Sequence, residues 1–159
     1  AGEEFGLLGA QAWVKAHKDK LPKIANLFNR DGGPEPPVGI SVPQAMYDDF
    51  VKISEPIQKI RPDYPFEVKV REPRKRPTRM GGTDASVFAI EGVPTLGFTT
   101  EDFKGYDFDY GEIWHTERDL YTKNIPEYQE HTATVTAIIA LGVANLDKQL
   151  SREGLYTEE

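Results

Sequence analysis

Residues 81–98 read GGTDASVFAIEGVPTLGF. Asp84 to Ile90 has the length and apolar spacing of a short helix, and it runs into Val93–Phe98, an apolar stretch that suits a buried strand. A helix leading into a buried strand is the unit from which layered α/β domains are built. Working downstream, Thr100 to Gly111 is a long loop rich in Asp and aromatic residues that leads to Trp114-His115-Thr116. A long helix follows, starting near Pro126 and striped by Val135, Ile138, Ile139, Leu146 and Leu150. Working upstream, the proline-broken basic stretch Arg71–Met80 reads as a loop, and the alternation in Phe66-Glu67-Val68-Lys69-Val70 reads as a half-exposed strand.

Before these, Pro43 opens a helix carrying Met46, Phe50, Ile53, Ile57 and Ile60 inward, and Val38 to Val42 is a weaker strand candidate. Ile24 to Asn29 is apolar enough for a buried strand, broken by Asp31-Gly32-Gly33-Pro34, which sets Asp31 at a strand's C-terminal end. From Phe5 to Lys20, the residues Leu7, Leu8, Ala12, Trp13 and Ala16 recur at helical spacing until Pro22. The alternation predicts an α/β three-layer sandwich with helices on both faces of a mostly parallel sheet.

The chain's 159 residues fit one domain, and 38% hydrophobic residues supply its core. A net charge of −7 disfavours nucleic acid as the main partner, because phosphate binding needs a basic surface. No apolar run reaches the roughly 20 residues of a membrane-spanning helix. With no cysteine, disulfides, thiolate zinc sites and cysteine nucleophiles are all excluded, so any metal is held by Asp, Glu and His.

In open α/β sheets, functional groups gather beyond the C-terminal ends of the strands. Glu3, Glu4, Asp31 and His115 fall at such positions or in loops that reach them, and carboxylates with imidazole are the donors zinc takes in the absence of thiolate. Each has an ordinary explanation when taken singly: a helix-start charge, a turn residue, a structural histidine. His17, on the polar side of the first helix, and His131, early in the last one, read as surface or capping residues. Tyr110, Trp114 and Phe103 fit either a substrate pocket or aromatic packing under the loop.

GEEFGLLG, NRDGG, GGTDASVFAIEGVPTLGF and WHTERDLY, in this order and spacing, resemble the zinc-dependent exopeptidases of metallopeptidase family 28, which include aminopeptidases and glutamate carboxypeptidases. The likeness runs over essentially the whole chain. It implies a phosphorylase/hydrolase-like zinc-peptidase fold, two zinc ions, and hydrolysis of a terminal peptide bond. By the same resemblance Glu3 is the general base, and Glu4, Asp31 and His115 are metal ligands. Ala85 stands where relatives often carry histidine, and Asp84 is left to orient His115 or close the pocket.

The family's first histidine and bridging aspartate precede the Glu-Glu motif. Residues 1–159 are therefore expected to be the C-terminal portion of a single catalytic domain, incomplete at its N-terminus and silent alone. They are expected to pair with the missing part of that domain or to form a homo-oligomer. An aminopeptidase is the leading reading, since the loop with Glu101, Asp102, Asp107, Asp109 and Glu112 suits an α-ammonium group. A glutamate-carboxypeptidase-like enzyme would instead use Arg71, Arg74, Arg76 or Arg79 for a carboxylate. A single-zinc glutaminyl cyclase and a non-catalytic receptor-like module are the remaining alternatives, and a secreted or periplasmic location is an expectation from the family alone.

Overall fold

The computed structural model describes residues 2–157. Their elements are α1 (Leu8–Ala16), β1 (Pro37–Val42), α2 (Tyr47–Ile60), β2 (Glu67–Val70), α3 (Asp84–Ile90), β3 (Phe98–Thr100), α4 (Tyr110–Ile113) and α5 (Pro126–Ala144). Strands and helices alternate in a mixed α/β arrangement. The strand order is β2-β1-β3, with β1 parallel to β2 and antiparallel to β3, so of the mostly parallel sheet expected, one pairing here is parallel and one antiparallel.

β1 is the centre of the sheet, and its sequence explains why. Ile40 and Val42 point to one face and are fully buried against Phe50, Ile53 and Ile57 of α2 and Val135 and Ile139 of α5. Burying each such side chain contributes about 1.5–3 kcal/mol. Gly39 pairs with Glu67, and a Cβ there would stand 2.4 Å from the Glu67 carbonyl oxygen, so only glycine lets the two backbones approach. The α2–α5 crossing is equally close. At Gly142 a Cβ would meet Ile53 Cγ2 at 2.4 Å.

α5 opens with Pro126 at its first turn and buries Tyr128, His131, Val135, Ile139 and Val143 at spacings of three and four. His131, expected at the surface, is fully buried: a ring nitrogen lies 3.0 Å from the Pro37 carbonyl, and the ring stacks on Tyr64 at 3.9 Å. Burial, against the upward influence of the Pro37 carbonyl, holds its pKa below the usual value, which favours the neutral ring. The last helix stops at Ala144 rather than running to Leu150, although Leu150 still reaches the core. On α2, Ile60 is exposed at the helix end instead of facing inward.

A second apolar cluster joins Leu7, Ala10 and Val14 to Val87 and Phe88 of α3 and to Val93. The buried stripe of α1 is thus rotated from the expected one: Leu8, Ala12, Trp13 and Ala16 face outward. The segment is apolar on several sides, so spacing alone left its phase open. The helix is also shorter than expected, with a 3-10 turn over Lys18–Lys23 that includes Pro22.

Ile24–Asn29 does not form the buried strand expected of it, and of the strand expected over Val93–Phe98 only Phe98 is in one. The two runs lie side by side, but the Asn26 side chain does a backbone's work: its amide donates to the Leu96 carbonyl at 3.2 Å and its oxygen accepts from Leu96 N at 2.8 Å. Leu27 N donates to the Pro94 carbonyl at 2.9 Å, and Pro94 has no N–H to return. The regular ladder resumes only at Phe98, which stacks on Phe28 at 5.7 Å.

Candidate functional site

Glu3 and Glu4 occupy a turn leading into α1. Gly6 N and Leu7 N both donate to the Glu3 carbonyl, at 3.0 and 2.9 Å, and Leu7 completes the turn in the left-handed region at φ 60°. Among the described residues no strand precedes the pair. The turn aims Glu4 across the molecule, where its Oε1 lies 3.2 Å from Nε2 of His115. His115 follows the single turn of α4, stacks on Trp114 at 4.4 Å, and also holds a positive φ of 56°. Non-glycine residues in that region store strain of order 1–3 kcal/mol and cluster where geometry serves a site.

Asp31 sits on the glycine loop after the Asn26 run. The Asn29 amide donates to its carboxylate, and the Arg30 guanidinium clips the loop closed on the carbonyls of Gly33 (2.7 Å) and Glu35. Burial pulls Arg30 below its usual range against the upward influence of Glu35 and Asp31, yet arginine remains a cation. Gly33 has φ 78° and lies under the rings of Phe108 and Tyr110, each 3.1 Å from where a Cβ would be. The Tyr110 hydroxyl donates to the Asp31 carbonyl at 3.2 Å, which joins the Asp31 loop to the segment carrying His115.

Glu3, Glu4, Asp31, Tyr110, Trp114 and His115 line one open cleft of about 1060 Å³. Asp84 is not among the lining residues, although Thr83 and Ala85 beside it are; one of its carboxylate oxygens is buried without a hydrogen-bond partner. Phe103 packs instead between Tyr64 and Tyr128. Arg71, Arg74, Arg76 and Arg79 lie off the cleft, as do Glu101, Asp102, Asp107, Asp109 and Glu112. The charged groups that do line it, beyond the acidic ones above, are Arg30, Asp119 and Lys123. The sequence reading passed over all three, although Arg30 and Asp119 stand inside the quoted NRDGG and WHTERDLY motifs.

A carboxylate and an imidazole at contact distance, with a second carboxylate on the same cleft, have the donor chemistry of a zinc shell. They make up only part of one. Among the described residues, no three His, Cys, Asp or Glu side chains gather at one point, and no helix is long and apolar enough to cross a membrane.

Comparison with known proteins places the chain in a family. No curated protein matches the chain. Among solved structures, the chain is similar to the crystal structure of a Peptidase M28 precursor from Shewanella amazonensis SB2B, with a TM-score of 0.68 and 25% identity. The match covers 95% of this chain and 31% of that one, so the chain spans about a third of the other's length. The model of peptidase family M28 matches residues 1–139, which include every residue of the cleft, and the chain belongs to that family.

Proposed function

We propose that this chain is the part of a zinc-dependent exopeptidase that supplies the general base, Glu3, and the metal donors Glu4, Asp31 and His115. The supporting observation is the 3.2 Å approach of Glu4 to His115 across 111 residues of chain, on a cleft shared with Glu3 and Asp31. Two zinc ions, when bound, polarise the scissile carbonyl and make a water acidic enough to attack near neutral pH. Glu3, adjacent to a donor but not itself one, accepts the attacking water's proton and returns it to the departing amine. Glu4, Asp31 and His115 hold and orient, while Tyr110 and Trp114 wall the cleft. The three-layer sandwich belongs to this reading, as the form of the intact domain.

Asp119 is the cleft carboxylate suited to a substrate's α-ammonium group, which favours an aminopeptidase. Arg30 is a specific observation for the second reading, a glutamate-carboxypeptidase-like enzyme, because a fixed guanidinium on the cleft matches a terminal carboxylate. Turnover by the full-length protein of peptides blocked at one end or the other separates the two. Loss on N-acetylation supports the aminopeptidase, and loss on C-terminal amidation supports the carboxypeptidase.

Removing a metal donor has a different expected result from removing the base. His115→Ala and Glu4→Gln in the full-length protein should each weaken zinc binding about 10-fold or more, since a neutral imidazole and a carboxylate are the ligating forms. Metal analysis after dialysis measures this. Full zinc retention by both variants would remove them from the donor set.

A further inference from the structure

The loop that carries Tyr110 and His115 into the cleft is anchored some distance before it. Tyr128, fully buried on α5, donates its hydroxyl to Asp102 Oδ1 at 2.6 Å and accepts the amide of Lys104 at 3.0 Å. The Asp102 carboxylate in turn accepts the amides of Tyr106 (3.0 Å) and Asp107 (2.8 Å), which closes the loop into a turn and holds Asp107 at φ 60°. Around this bond Phe103 packs edge-on to Tyr64 and stacks with Tyr128, at 5.0 and 6.0 Å between centroids. Lys104 reaches Glu127 at 2.7 Å and Asp63 at 3.5 Å and lies over the Tyr64 ring; Tyr64 donates to Glu127 at 3.1 Å.

The charges favour the arrangement in which the proton stays on Tyr128 and Asp102 accepts the hydrogen bond. The Tyr128 hydroxyl first, then the amides of Asp107, Phe108 and Gly105, hold the Asp102 carboxyl below the usual carboxylate range against burial. Burial first, then Asp102, pushes the Tyr128 phenol up to about 12. Directly after the clasp, Phe108 and Tyr110 close on Gly33, and from Asp109 to Trp114 only Ile113 is buried. Beyond these contacts and the Tyr110 hydrogen bond to the Asp31 loop, the stretch is exposed.

We propose that Tyr128 is a positioning residue of the cleft: through Asp102 it fixes the 102–115 loop so that Tyr110 meets the Asp31 loop and His115 meets Glu4. This rests on the metallopeptidase reading above. Tyr128 touches neither substrate nor metal donor, and its effect passes along the loop.

Tyr128→Phe in the full-length protein tests it, because the phenylalanine ring keeps the packing and deletes only the hydroxyl. Zinc affinity is read by competition with a chromophoric chelator, and loop order by amide hydrogen exchange over residues 110–116. Ile139→Val, a truncation in the fully buried core of the same helix, is the control for general destabilisation. Tyr128→Phe is expected to bind zinc about 10–100-fold more weakly, the usual cost of losing a group that orients donors, and to exchange faster at 110–116, with neither change in Ile139→Val. Asp102→Ala, which removes the acceptor from the loop side of the same bond, should reproduce both changes. Wild-type zinc affinity and exchange in Tyr128→Phe or in Asp102→Ala, or the same changes in Ile139→Val, would overturn the proposal. If the unmutated protein binds no zinc, the metallopeptidase reading falls, and the exchange at 110–116 decides the positioning role by itself: faster in Tyr128→Phe alone supports it, unchanged overturns it.

Discussion

Glu3→Gln in the full-length protein should lower kcat by about 10²–10⁴-fold, the usual contribution of a positioned general base, with zinc content unchanged. Glutamine has nearly the same shape as glutamate, so the turn built on the Glu3 backbone carbonyl is preserved, and what is lost is the ability to take a proton. The neighbouring substitution Glu4→Gln should act on metal content instead. Two residues that differ by one position in sequence thus separate into different measurements. Loss of zinc in Glu3→Gln with retention in Glu4→Gln would reverse the roles assigned to the pair.

The largest expected effect on stability is at Gly39. Its Cα faces Glu67 across the β1–β2 pairing, and the atom in the way of a Cβ is a backbone oxygen 2.4 Å off, which cannot rotate aside as a side chain can. Gly39→Val must either push the strands apart or shift the register, and either loosens Ile40 and Val42 in the centre of the core. A loss of about 3 kcal/mol or more is expected, at the upper end of what overpacking costs, measured as a fall in the urea midpoint with an unchanged slope. A variant within about 0.5 kcal/mol of wild type, the range of an ordinary surface change, would mean that β1 and β2 do not pair in this register.

Much of the fold was legible because certain segments carry one signal only. Asp84–Ile90 is a helix with the bounds the sequence indicated, and Phe50, Ile53 and Ile57 face inward as their spacing implied. Ile24–Asn29 and most of Val93–Phe98 depart from the expected strands for a physical reason: they are apolar and of strand length, but Pro94 and the side-chain bonding of Asn26 replace part of the ladder that defines a strand. His131 was misread because a lone histidine near a helix start is usually at the surface. Its spacing to Tyr128 and Val135, three and four residues, was the signal that places it on the buried face.

In the cleft, the motifs pointed to Glu3, Glu4, Asp31 and His115, and these line one concavity. What the motifs did not convey is how the supports around them act. Arg30 closes the Asp31 loop through two carbonyls, and Tyr128 acts from a helix thirteen residues beyond His115. Such roles depend on which loops lie side by side, a property of the folded chain that local spacing does not encode.

Zinc-edge anomalous diffraction from crystals of the full-length protein is the most direct test of the cleft as a metal centre. The expected result is anomalous density in contact with Glu4 and His115 and with Asp31, and the Glu3 carboxylate directed at the space between metal and substrate without ligating. Zinc bound elsewhere, with Glu4 and His115 still paired to each other across an undisturbed cleft, would contradict it.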